Sequence, residues 1–73
     1  MKSAQVLVFK TSVMTRENVS KLTPVLNTLA GNGNWNFALD DCDRILRIAS
    51  GGVHPNDAID LLSNYGFQCE ELN

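Results

Sequence analysis

The residues of this chain that could carry out chemistry are few and lie far apart in the sequence. It contains one histidine, His54, and two cysteines, Cys42 and Cys69. A single histidine and two separated cysteines cannot be assembled into a Ser-His-Asp or Cys-His catalytic arrangement. The pair Gly51-Gly52 is too short to be a glycine-rich phosphate loop. We therefore predict that the protein is not an enzyme and needs no cofactor.

The cysteines are predicted to be reduced thiols rather than a disulfide, because we expect a cytoplasmic location. Cys42 lies in the segment 40–43, whose three remaining residues are all aspartates. An adventitious divalent-ion site at these acids is one interpretation of the segment. Cys69 is in phase with Phe67 on a predicted strand, so we expect it to be buried.

The segment 10–19 joins an apolar strand to an amphipathic helix. Thr15 is a suitable N-cap for that helix, and Glu17 complements the positive end of its dipole. Two interpretations of Arg16 stay open at this point. It is either a solvated side chain paired with a nearby acid, or part of an anion or partner-carboxylate site at the helix N-terminus.

Four strands and two helices are predicted from periodicity and breakers. The strands cover 4–11, 35–40, 44–49 and 67–72. The first helix has a buried stripe of Val19, Leu22, Leu26 and Leu29, and it ends near 30–33. Pro24 within it predicts a kink or an irregular first turn.

The second helix opens at His54-Pro55, has Asp57 at its positive end and stops at Gly66. His54 is expected to be a surface or capping residue. Four side chains are predicted to be buried in the core: Leu26, Phe37, Leu39 and Ile59.

The order strand, helix, strand, strand, helix, strand predicts an α+β protein with a single domain over 1–73. The expected architecture is a ferredoxin-like βαββαβ sandwich, with a four-stranded antiparallel sheet and two helices on one face. In that topology the first strand–helix loop, the turn between the second and third strands and the last helix–strand loop lie at the same end. The fold alone does not determine a function.

At this level the chain resembles the heavy-metal-associated domain, the family of copper chaperones. Val13-Met14-Thr15 is similar to the approach to the family's metal loop, and Ile59, Leu62 and Gly66-Phe67 are similar to its C-terminal part. The resemblance implies that Met14 tucks into the core beneath the loop. It also implies that Met14, Thr15, Arg16 and Phe67 form a loop surface for partner binding.

Two positions depart from the metal motif of that family. Arg16 and Val19 stand where its two cysteines belong. Soft metals such as Cu(I) are selected by thiolates, whereas a guanidinium has no lone pair to offer and repels a cation. We therefore predict no metal site in this loop.

Three functions are compatible with these observations. The first is a non-enzymatic interaction module with a heavy-metal-associated-like fold and replaced ligands. The alternative is a metallochaperone or metal-binding protein with the atypical ligands Met14, Cys42 and Cys69. The third is an acylphosphatase-type enzyme using Arg16 and Asn18, although the loop lacks the glycines that let amides converge on phosphate.

A protein partner or self-association is expected at the sheet face that the helices leave uncovered. Alternation directs Val6, Val8 and Ile45 to that face, together with Ala38. We expect a contiguous apolar patch there, rimmed by Lys10 and Arg47, and monomers seldom expose such patches without a use.

The overall charge and hydropathy argue against two classes of partner. A net charge of −2 with scattered basic residues predicts no nucleic-acid binding. No apolar run approaches the ~20 residues of a membrane span, and the apolar stretch near the start is too short for a signal peptide. A cytoplasmic location without membrane association is the resulting expectation.

Overall fold

The computed structural model describes residues 6–40 and 42–72. Its elements follow the order strand, helix, strand, strand, helix, strand: β1 (Leu7–Thr11), α1 (Arg16–Ala30), β2 (Trp35–Ala38), β3 (Ile45–Ile48), α2 (Pro55–Asn64) and β4 (Cys69–Glu71). The predicted number, type and order of elements agree with this structure. Three predicted positions lie outside the described residues: Ala4 and Gln5 at the start of the first strand, and Asp41 in the acidic turn.

The four strands form one antiparallel sheet in the order β2-β3-β1-β4. β1 is therefore central, with β3 on one side and β4 on the other. Its register places Phe9 opposite Leu46 of β3 and opposite Glu71 of β4. Within the part of the chain that the structure describes, β2 and β4 are the edge strands, and β2 pairs with β3 alone.

The core lies between the helices and one face of this sheet. Phe9, Leu46 and Ile48 come from the sheet and are fully buried. They form one cluster with buried residues of both helices: Leu22, Leu26, Ala30, Ala58 and Leu62. Burying aliphatic and aromatic side chains of this kind stabilises a domain by roughly 1.5–3 kcal/mol each before entropy is subtracted.

The sequence predicted a kink or an irregular first turn at Pro24. The helix α1 is continuous through Pro24, which lies in its interior, and its first turn is capped, so the irregular first turn is not formed. Proline has no N–H, so the Ser20 carbonyl lacks its usual donor four residues on. Ser20 is exposed, and water can satisfy this carbonyl. Two threonines add side-chain bonds along the same helix: Thr23 to the Val19 carbonyl and Thr28 to the Pro24 carbonyl.

The burial predictions hold only in part. Leu26 is fully buried, whereas Phe37, Leu39 and Ile59 are half-buried and pack against the margin of the core. Phe37 remains partly exposed because its strand is at the edge of the sheet. Ile59 lies beside the buried face of α2, which is formed by Ala58 and Leu62.

Candidate functional site

Three connections of the chain meet at one end of the molecule, as the sequence predicted. The backbone N–H of Thr11 donates to the Asp43 carbonyl at 3.2 Å, which joins the end of β1 to the β2–β3 turn. Ser12 N–H donates to the Gln68 carbonyl at 3.1 Å, and Gln68 N–H donates back to Ser12 Oγ at 2.8 Å. These bonds join the β1–α1 loop to the segment that leads into β4.

The side chain of Thr11 is the buried polar centre of this end. Its hydroxyl donates to the Arg44 carbonyl at 2.6 Å and accepts from the Val13 N–H at 3.2 Å. Arg44 has a left-handed backbone with a φ of 51°, which is uncommon outside glycine. Its guanidinium donates to the Leu39 carbonyl at the end of the preceding strand. The β2–β3 turn is thus bound to β1 through Thr11 and to the end of β2 through Arg44.

Met14 does not pack into the core, and the prediction derived from the family resemblance is wrong. Its side chain is 62% exposed, whereas the neighbouring Val13 is fully buried. The reason is alternation: Phe9, Thr11 and Val13 all turn to the core side, which leaves Met14 on the outside.

Thr15 caps α1, as predicted. Its hydroxyl accepts from the Asn18 N–H at 3.1 Å. The Asn18 side-chain oxygen in turn accepts from the N–H groups of Thr15 and Met14, at 3.3 and 3.4 Å. This reciprocal capping box satisfies donors that a helix start would otherwise leave free. In an acylphosphatase-type site, Asn18 would use its side-chain oxygen to orient a water molecule. Here that oxygen is already engaged in the capping box.

A groove runs between the first half of α1 and the edge strand β2. It has a volume of about 780 Å³, and we call it the α1–β2 groove. Its lining consists of Arg16, Val19, Ser20, Trp35, Asn36, Phe37, Leu39 and Asp40. Among the described residues, Arg16 and Asp40 are the charged ones in this lining. Within 6–40 and 42–72, Arg16 has no ion pair, so the predicted pairing with a nearby acid is not formed there.

Aromatic side chains form the β2 side of this groove. The rings of Trp35 and Phe37 meet edge to face, with centroids 6.0 Å apart, an arrangement that aromatic pairs favour. The indole N–H of Trp35 donates to the side-chain oxygen of Asn27 at 2.8 Å. This bond ties the start of β2 to the second half of α1 and fixes the indole beside the groove.

Sequence reasoning did not find this groove. The alternation of Trp35, Phe37 and Leu39 correctly indicated a half-buried strand, but alternation along one strand carries no information about its place in the sheet. One local signal distinguishes β2 from the other strands: it contains two aromatic residues and no charged residue.

The remaining loop residue of the predicted partner surface is Phe67, which lies at the same end as Met14 and Thr15. It is half-buried against the core, and its N–H donates to the Leu62 carbonyl at 2.9 Å. Of the four predicted loop residues, Arg16 alone lines the α1–β2 groove.

The uncovered sheet face is more mixed than the sequence predicted. Val6 is 54% exposed and Val8 is half-buried, but Ile45 is only 6% exposed and offers almost no apolar surface. The register sets Val8 opposite Arg47 and Ile45 opposite Lys10. The charged side chains therefore lie among the apolar ones, not only around them.

The thiols and the histidine are dispersed. Cys42 is exposed and Cys69 half-buried, and both are free. Burial raises the pKa of the Cys69 thiol to about 11. His54 precedes α2, where its N–H donates to the Asp57 carboxylate at 3.3 Å. Among the residues that the structure describes, no three His, Cys, Asp or Glu side chains are grouped so as to hold a metal ion.

Comparison with protein-family models, with curated proteins and with solved structures found no match. Within the described part of the chain, neither helix is long and apolar enough to cross a membrane.

Proposed function

We propose that this protein is a small, non-enzymatic interaction module that binds an extended polypeptide segment in the α1–β2 groove. The observation that carries the proposal is a groove with aliphatic and aromatic side chains in its lining beside an edge strand, whose outer side has no strand next to it within the described residues. An extended segment that lies along such an edge gains main-chain hydrogen bonds, while its alternate side chains enter the groove.

The lining favours polypeptide binding over catalysis. Trp35 and Phe37 supply aromatic surface, which is enriched where proteins bind each other. Val19 and Leu39 extend it with aliphatic surface. Arg16 and Asp40 carry opposite charges at one end, so the groove as a whole selects neither an anion nor a cation. A segment with apolar side chains, aliphatic or aromatic, at alternating positions matches this lining.

A ferredoxin-like fold related to the heavy-metal-associated domain belongs to the same proposal. The element order and the strand order β2-β3-β1-β4 support it. In such a relative, Arg16 and Val19 would replace the thiolates, and both residues line the groove. The former metal loop would then contribute to a protein-binding surface. A cytosolic location, in which both thiols stay reduced, is part of this interpretation.

Selection from a random peptide library tests the proposal, with Trp35 as the reporter. Trp35 is the only tryptophan, so its fluorescence reports directly on the groove. Selected peptides should shift its emission saturably, and Val19→Glu should weaken their binding at least tenfold, because it buries a carboxylate under the ligand. Ser63→Glu, which adds the same charge on the exposed surface of α2, should leave binding unchanged. Equal binding to both variants would refute the groove as the site.

A further inference from the structure

The outer edge of β2 presents unpaired backbone groups. The N–H of Ala49 donates to the Asn34 carbonyl at 2.7 Å, which fixes the alternation of the β2–β3 ladder. The backbone N–H and C=O groups of Asn34, Asn36 and Ala38 therefore point towards β3. The backbone groups of Trp35 and Phe37 point away from it, to the outer edge of the sheet. The Leu39 carbonyl beyond them accepts from the Arg44 guanidinium. The free edge is thus short and confined to Trp35 and Phe37.

The two edges of the sheet differ in charge. β4 carries Glu70 and Glu71, both exposed, and two copies meeting there would set like charges against each other. β2 reads Trp-Asn-Phe-Ala and contains no charged residue. Natural proteins commonly guard edge strands with charges or proline, so β2 is the edge that is open to a second β2.

We propose that two copies of this chain pair antiparallel through β2, about a two-fold axis at Asn36. The proposal rests on the proposed function and names the occupant of that surface. Trp35 lies opposite Phe37 of the second copy, and Phe37 lies opposite its Trp35. Each of these two pairs exchanges both N–H···O bonds, so every outward group of Trp35 and Phe37 gains a partner.

The side chains suit the same register. At the axis, Asn36 lies opposite Asn36 of the second copy. The backbones of these two residues do not hydrogen-bond to each other. The two amides there can each donate and accept, and neither is charged. On the helix side, Trp35 and Phe37 of one copy adjoin Phe37 and Trp35 of the other. The half-exposed rings are thereby covered at the centre of the interface, where aromatic side chains contribute most to binding.

Charge complementarity between the helices supports the antiparallel arrangement. Arg16 lies near the end of β2, whereas the C-terminus of α1 leads into its start. A two-fold axis at Asn36 therefore directs Arg16 of each copy towards the α1 C-terminus of the other. That terminus carries a partial negative charge, and its last turn has no basic residue. Arg16 complements it and has no ion pair within the described residues.

Disulfide trapping tests the register directly, in a Cys42→Ser, Cys69→Ala background. Asn36→Cys should form a disulfide-linked dimer in a glutathione buffer, since Cα atoms at such an axis are about 4.5 Å apart and disulfides span roughly 4.4–6.8 Å. Ala38→Cys is the matched control on the same strand and face. Its two copies would be about 13 Å apart, because four residues separate them along the strand. Equal cross-linking of both variants, or of neither, would overturn the register.

Sedimentation equilibrium supplies a test that needs no cysteine. Asn36→Lys sets two like charges at the axis and should raise the dimer dissociation constant at least tenfold, whereas Ser63→Lys on the exposed surface of α2 should not change it. Phe37→Pro should act like Asn36→Lys, because it removes an outward N–H that the monomer does not use. A wild-type protein that stays monomeric up to millimolar concentration overturns self-pairing. If that monomer still binds selected peptides in a manner sensitive to Val19→Glu, the proposed function stands and only the second copy is refuted.

Discussion

In the proposed relationship to the heavy-metal-associated domain, Arg16 and Val19 stand at the positions of its two metal-binding cysteines. A pair of thiolates at these positions would bind a soft metal, whereas an arginine and a valine present a cation beside an aliphatic surface. Both side chains line the α1–β2 groove. The capping box of Thr15 and Asn18 meanwhile keeps the helix start formed without any ligand. This surface suits the polypeptide recognition that we propose.

Cys69 provides a prediction with a definite pH dependence. Its folded pKa, about 11, exceeds the ordinary value of 9.0 because burial disfavours the thiolate. The unfolded chain consequently loses this proton first as pH rises. The stabilisation is fully present below pH 9 and is lost as pH rises through 11. Relative to Cys69→Ala, the wild type should therefore lose unfolding free energy between these values, as measured by urea denaturation under reducing conditions. The exposed Cys42 serves as control: Cys42→Ala should parallel the wild type throughout.

At the scale of elements, α1 links the core to the groove. Its buried side supplies Leu22, Leu26 and Ala30 to the core. Its first half supplies Arg16, Val19 and Ser20 to the groove, and Asn27 holds Trp35 at the start of β2. The position of this helix against β2 therefore determines the shape of the groove. A change in the packing of α1 should affect both the core and the groove.

Leu26→Ala tests the packing of α1. Leu26 is fully buried in the core cluster, so truncation should lower the free energy of unfolding by about 2–5 kcal/mol. Many small domains have a total stability of only about 5–15 kcal/mol. Leu29→Ala on the half-buried flank of the same helix should cost less. Urea denaturation followed by circular dichroism measures both, and an unchanged midpoint for Leu26→Ala would contradict the observed helix orientation.

The order of the elements was predictable because its signals are local. Thr15 as a cap, the stripe from Val19 to Leu29 and the alternation of Trp35 with Phe37 each involve neighbours in the sequence. The burial of Met14 was predicted wrongly because a resemblance was given more weight than the alternation of Phe9, Thr11 and Val13. The groove was not predicted. The ferredoxin-like topology expected from the sequence already places β2 at an edge of the sheet, but the space between β2 and α1 depends on how the helix packs, which no local pattern shows.

At the scale of the whole molecule, the apolar surface is distributed unevenly. The helix side of the sheet is closed by α1 and α2, except along the α1–β2 groove. On the opposite face, Val8 and Ile45 are interleaved with Lys10 and Arg47, whose alkyl stems can screen neighbouring apolar groups. That interleaving reduces the apolar area available to a partner, so the β2 edge is the better candidate for association.

Val8→Lys distinguishes the two surfaces in the intact protein. Val8 lies on β1, which is separated from the edge strand β2 by β3. If copies pair through β2, Val8→Lys should leave the dimer dissociation constant within about threefold of the wild type, since surface changes away from an interface have small effects. Asn36→Lys in the same sedimentation series should raise it tenfold or more. The reverse pattern, with Val8→Lys producing monomers and Asn36→Lys leaving the dimer intact, would assign self-association to the uncovered sheet face. It would leave the β2 edge free for a different polypeptide.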